Sequence, residues 1–143
     1  MVNSTAAVLA GLAVGIGLIA AFSILDAGSS FQTQYEKKDV VSLVVIPTGA
    51  SSQNSGKDFE PPLIAVVIGK NNTVTWVNKD IVAHSFKADS STADPEFYHA
   101  TNNATLIGPN QTFEFMFTKP GTFGYHGEPY PWLRGTVIVL PSS

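Results

Sequence analysis

The chain has 143 residues, a formal net charge of −3 from 8 basic and 11 acidic residues, and no cysteine. That length supports one domain with an extra segment. With no basic cluster longer than Lys37-Lys38, nucleic-acid binding has little electrostatic basis, and the lack of cysteine excludes disulfides, thiolate metal ligands and cysteine nucleophiles.

Residues 6–25, AAVLAGLAVGIGLIAAFSIL, carry no charge, and Ser23 is their only polar side chain. Twenty helical residues extend about 30 Å, the thickness of a bilayer core. The segment 1–25 therefore reads as an N-terminal transmembrane anchor. A cleaved signal segment is the alternative, but its apolar run is usually about 7–15 residues with a basic start, and here no Lys or Arg precedes the run. Ala7, Gly11 and Gly15 recur every four residues. Small residues at that spacing let a second helix approach closely, so this stripe is the expected contact with another membrane subunit. Small residues are also common in membrane helices for no special reason.

Residues 26–38 read as a polar linker. Lys37 and Lys38 would favour a cytoplasmic position for the chain after the helix. The sequons Asn71-Asn72-Thr73, Asn103-Ala104-Thr105 and Asn110-Gln111-Thr112 favour export. The expected location is the cell membrane, single-pass, with the C-terminal domain outside the cytoplasm.

From residue 39 the period changes to two. DVVSLVVIP at 39–47 predicts a strand closed by Pro47, and LIAVVI at 63–68 a strand buried on both faces. Thr73–Asn78 alternates, and Val82–Lys87 makes a further short strand. Between Ala88 and Asn103 no periodicity survives, which predicts a surface loop, acidic at Asp89, Asp94 and Glu96. Phe113, Phe115 and Phe117 give one aromatic face, Lys119-Pro120-Gly121 a turn, Phe123 and Tyr125 an inward alternation, and Thr136–Leu140 a last strand. Six to eight short strands without a helical pattern describe an all-β sandwich over residues 39–143.

Two separated motifs then carry a resemblance. The stretch from Phe59-Glu60-Pro61 through Val74-Thr75-Trp76-Val77-Asn78-Lys79-Asp80-Ile81-Val82-Ala83-His84, followed by Pro109–Phe113 and Thr118–Tyr125, resembles a plastocyanin- or halocyanin-like cupredoxin over roughly residues 39–140. The resemblance implies a cupredoxin-like Greek-key β-sandwich and makes His84 the first copper ligand. It also implies that the remaining ligands lie in FGYHGEPYPWLRG at 123–135. Anchored on Gly121, Tyr125, Pro131 and Gly135, the family's cysteine, histidine and methionine positions become Gly127, Tyr130 and Leu133. A blue-copper centre needs the thiolate and two imidazoles, so ordinary electron transfer is not expected. The spacing from 127 to Gly135 matches short-loop members, so restoring the three ligands should need no insertion.

His84 and His126 are the candidate metal ligands, with His99 as a substitute for the second. Alternation with Phe123 and Tyr125 places His126 on the solvent side, unless a bulge at Gly127 turns it inward. Two imidazoles and a carboxylate such as Glu128 would suit copper(II) or zinc; otherwise the sandwich holds no metal. The expected cofactor is thus none or copper. Two functions follow. One is an accessory or interaction subunit of a membrane copper or redox complex, contacting its partners through Ala7, Gly11, Gly15 and the Tyr130–Leu133 loop. The other is copper storage or delivery through His84 with His126 or His99. No nucleophile–base arrangement, phosphate-binding loop or zincin-spaced histidine pair is present, so the chain is not expected to be an enzyme.

Overall fold

The computed structural model describes residues 40–103 and 106–143. The predicted anchor (1–25), with its Ala7, Gly11 and Gly15 stripe, and the linker (26–38) lie outside the described residues. Among the described residues, no helix is long and apolar enough to cross a membrane.

Seven strands form two sheets. They are β1 (Ser42–Ile46), β2 (Leu63–Val67), β3 (Thr73–Asn78), β4 (Ser85–Ala88), β5 (Thr112–Met116), β6 (Gly121–Glu128) and β7 (Arg134–Leu140). One sheet has the order β1-β3-β5 and the other β2-β7-β6-β4. β1 runs parallel to β3 and β2 parallel to β7, while the β3–β5, β4–β6 and β6–β7 pairs are antiparallel. The inner faces meet over Val44, Ile46, Val66, Val74, Trp76, Phe86, Phe117, Tyr125, Val137 and Val139, all buried. Trp76 lies at the centre, with ring centroids 4.9 Å from Phe86 and 5.6 Å from Tyr125. The all-β sandwich read from the alternation is the architecture observed.

Three local expectations change. The apolar run 63–68 forms β2, but β2 pairs only with β7, and its Leu63 is 54% exposed. An edge strand is covered on fewer sides than a central one, so a continuous apolar run did not mean burial on both faces. The stretch expected to be a surface loop contains a helix, α1 (Pro95–Asn102). Asp94 caps it, its Oδ1 accepting from the backbone N–H of Glu96 at 3.0 Å and Phe97 at 3.2 Å, with Pro95 at the first helical position. Only Phe97 and Thr101 of α1 are buried, too short a stripe to register as a period. Phe97 nevertheless fills the core against Phe115, Phe117 and Trp76, and the Thr101 hydroxyl accepts from the Ala88 N–H at 3.0 Å. Finally, the strand expected at Val82–Lys87 begins at Ser85, because His84 leaves the sheet to exchange backbone hydrogen bonds with Ile107.

The topology sorts the loops into two ends. The segments that follow β1 and β3 and the turn between β6 and β7 gather at one end, where the candidate site lies. The β2–β3 turn, the β5–β6 turn, the start of β1 and the end of β7 gather at the other.

Candidate metal centre

His84 is 1% exposed and held from below by Asp80, whose side chain is equally buried. Its Nε2 donates to Asp80 Oδ2 at 2.9 Å. The same carboxylate accepts the N–H of Ser51 on Oδ2 and the N–H groups of Gly49 and Ile81 on Oδ1, all at 2.9–3.0 Å. Burial alone would raise the Asp80 pKa. The Gly49 N–H, the His84 ring and the Ile81 and Ser51 N–H groups outweigh it and hold the carboxyl well below the usual carboxylate range. An ionised Asp80 has no proton to give, so the imidazole carries a hydrogen on Nε2, and Nδ1 is the ring nitrogen turned away from the carboxylate. That Nδ1 is buried and has no hydrogen-bond partner.

The four-residue spacing of Asp80 and His84 is visible in the chain, but the contact of the same carboxylate with Gly49 and Ser51 is not. Asp80 both shapes the Gly49–Ser51 turn and orients the imidazole.

The β6–β7 turn closes over this histidine. The Tyr130 ring lies against the His84 ring with centroids 4.8 Å apart, and Trp132 follows at 5.5 Å from Tyr130. Trp132 Nε1 donates to the Ala50 carbonyl at 2.9 Å, so both sides of the site are tied to one turn, Gly49–Ser51. Leu133 is wholly buried. Gly127 N–H donates to the Leu133 carbonyl at 2.9 Å, and Leu133 N–H to the Tyr130 carbonyl at 3.1 Å.

Gly127 has a steric reason to be glycine. A Cβ there would stand 2.5 Å from the Tyr130 carbonyl oxygen and 3.1 Å from Leu133 Cβ, whereas real Cβ contacts with backbone are longer than 3.0 Å. Its φ is not among the positive glycine values, which fall on Gly49, Gly56, Gly69 and Gly121. The turn has therefore tightened into the space that a side chain at 127 would need. The spacing was expected to accept the ligands without an insertion; a side chain at 127 would in addition have to displace the Tyr130 carbonyl that stands in its place.

The other histidines lie elsewhere. β6 runs regularly through Gly127 to Glu128 without a bulge, and His126 pairs across to Lys87 and Arg134. Phe123, Tyr125 and Gly127 face inward, so His126 faces outward, where its Nδ1 meets Asp89 Oδ1. Lys87 pairs with Glu128 at 2.7 Å on the same strands. His99 is exposed in the last turn of α1, beside Tyr98. The structure thus brings His84 together with Asp80 and Tyr130, and keeps His126 apart from them. Among the described residues, no three His, Asp or Glu side chains converge as a metal cage. Asp89 as the partner of His126 left no mark in the sequence, since the two are 37 residues apart and meet only through the β4–β6 register.

A blue-copper ion does not fit this donor set. One imidazole nitrogen, a phenol-bearing ring, a buried leucine and a glycine offer no thiolate, no second imidazole and no thioether.

Comparison with known proteins nevertheless returns a copper family. A family model described as copper binding proteins, plastocyanin/azurin family, matches residues 48–140. Amicyanin of Paracoccus denitrificans is 32% identical over 85 residues, covering 57% of this chain and 57% of that protein, so the match spans less than two thirds of that relative. Plastocyanin of Scenedesmus fuscus is 29% identical over 100 residues, covering 67% of this chain and 98% of its own length. Among solved structures, a purple cupredoxin from Nitrosopumilus maritimus aligns with a TM-score of 0.58 over 68% of this chain and 98% of its own, at 24% identity, which speaks to fold. A mutant of amicyanin in its Cu(I) state aligns with a TM-score of 0.53 at 26% identity, over 69% of this chain and 81% of its own. The frame around His84, matched from residue 48 to residue 140, places the chain in the plastocyanin/azurin family of copper binding proteins.

Proposed function

We propose that this chain is a membrane-anchored cupredoxin domain that has lost blue-copper electron transfer and acts as a non-enzymatic accessory or interaction subunit of a membrane copper or redox complex. It is expected to sit in the cell membrane with the sandwich outside the cytoplasm. The observation that carries this reading is the packing of the turn at the ligand positions. Tyr130 covers His84, Leu133 is buried, and Gly127 leaves room for the Tyr130 carbonyl rather than for a ligand. A turn rebuilt around side-chain packing serves contact rather than coordination, and Tyr130 and Trp132 remain half-exposed at its surface, as aromatic interface anchors do.

The test is isolation of the full chain from membranes, with metal analysis and identification of co-purifying chains. A stable complex with substoichiometric copper on this subunit is the expected result. A solitary protein loaded with one copper and an intense visible absorption would overturn the reading.

One observation favours a second reading, copper storage or delivery through His84 with His126 or His99. His84 Nδ1 is oriented by Asp80 and has no partner. His126 is engaged with Asp89 on the outer face, so a second imidazole would require rearrangement. Stoichiometric copper uptake by the full chain that disappears in His84→Ala would support this reading, and uptake indifferent to His84→Ala would remove it.

A further inference from the structure

The end of the sandwich opposite His84 has a composition of its own. Val40 and Val41, just before β1, are 64% and 68% exposed, and Met116 at the end of β5 and Leu140 at the end of β7 are 58% and 46% exposed. Register brings these together. Ser42 pairs with Val74 and Met116 with Thr73, while Leu140 accepts from Ile68 N–H in the turn that joins the two sheets. Exposed Lys70 and Lys119 stand in the β2–β3 and β5–β6 turns at this same end. Among the described residues neither is in an ion pair; Lys70 Nζ donates to the Ser143 hydroxyl.

The acidic side chains of the loops are placed differently. Asp58 accepts from the Arg134 N–H, Glu60 bridges to Val45, and Glu128 ends β6, all toward the His84 end. Glu114 and Glu96 lie on the sides, on β5 and α1. Lys57, Lys79 and Arg134 and the exposed Leu63 and Ile81 also stand toward the His84 end, so the ends differ in their carboxylates: the β2–β3 and β5–β6 turns carry lysine without aspartate or glutamate, whereas the loops of the His84 end carry both signs.

We propose that the Val40–Met116–Leu140 end rests on the surface of an anionic phospholipid bilayer, leaving the His84–Tyr130 end facing away from it. This rests on the membrane-anchor reading. The uncharged segment ends at Leu25, and the 15 residues from there to Val40 allow a reach of up to about 50 Å. The tether thus permits contact without imposing it. Such a tether supplies a high effective concentration, so a small patch suffices. Each lysine near an anionic surface strengthens binding by about fivefold, and the aliphatic side chains seat at the headgroup boundary.

The chain lacks cysteine, so a single reporter can be placed without background. Met116→Cys and, as the distal control, Ile81→Cys in the full-length chain are labelled with an environment-sensitive fluorophore. The labelled proteins are reconstituted into phosphatidylcholine vesicles with or without phosphatidylglycerol, containing a headgroup spin-labelled quencher. The expected result is quenching at Met116→Cys at least threefold greater than at Ile81→Cys, present with phosphatidylglycerol and reduced several-fold by Lys70→Glu with Lys119→Glu. Equal quenching at the two positions, or quenching indifferent to anionic lipid, would overturn the proposal. Protein that sediments with vesicles but shows no quenching at Met116→Cys sinks this inference alone. Protein that stays in the supernatant sinks the anchor reading together with it.

Discussion

Asp80 is the residue on which the His84 end depends, because one carboxylate holds two turns and an imidazole at once. Replacing it with asparagine keeps the size but removes the charge that all four donors share. Hydrogen bonds to a buried charge contribute about 1.5–3 kcal/mol each in isolation; because these bonds act as a unit, we expect Asp80→Asn to cost about 3 kcal/mol in urea unfolding. The sign of the pH dependence follows from the direction of the shift. The folded-state pKa is below the ordinary value of 3.8, so this stabilisation is fully present above that value and is lost as pH falls beneath it. The stability gap between the parent and Asp80→Asn should therefore stay constant near neutral pH and narrow below about pH 4. A gap that widened on acidification would contradict an ionised Asp80. At position 127 the constraint is space. Gly127→Ala puts a Cβ against the Tyr130 carbonyl and should lower stability by about 1–3 kcal/mol, as overpacking does. An unchanged denaturant midpoint would show that the turn yields freely.

At the scale of elements, the β6–β7 turn and α1 each carry a testable consequence. Restoring the family's ligand types as Gly127→Cys, Tyr130→His and Leu133→Met removes the ring that covers His84 but meets the same carbonyl. The triple variant should be less stable than the parent by about 1–3 kcal/mol without metal. Given copper(II), it should develop an intense visible band that is absent when His84→Ala is added. A folded, colourless triple variant would mean that the turn cannot reopen around a ligand set. For α1, Asp94→Ala removes a cap serving two N–H groups and should cost about 1 kcal/mol. Protection from hydrogen exchange should fall first in Pro95–Asn102, since the helix has only two buried side chains to hold it otherwise.

At the scale of the whole molecule, the sandwich keeps the family frame over residues 48–140 while its His84 end lacks a thiolate. The parent chain treated with copper(II) should show no intense thiolate charge-transfer band, because no thiolate is available at 127 or anywhere else in a cysteine-free chain. A blue or purple parent protein would refute the assignment of ligand positions. The opposed ends also suit a subunit that stands on a membrane and presents its aromatic turn outward, as the quenching experiment is designed to examine.

Alternation in Thr73–Asn78, Phe123–Tyr125 and Thr136–Leu140 was enough to identify a sandwich, because a two-residue period with one buried face is a local property of the chain. The resemblance to the family's loop pattern, anchored on Gly121, Tyr125, Pro131 and Gly135, likewise put Gly127, Tyr130 and Leu133 at the expected ligand positions, since ligand order along one turn is also local. Outward-facing His126 followed from the same alternation. The sequence could not show that Phe97 plugs the core from a short helix, because two buried residues make no period. Nor could it show that Ala50 and Gly49 hold opposite walls of the site, or that Asp89 meets His126, because those partners are 31–82 residues apart. The closing of the turn into the place of the missing Cβ was beyond it too. A sequence records which side chain is absent, but what fills the vacated space is decided by packing among distant segments, and only the folded chain brings them together.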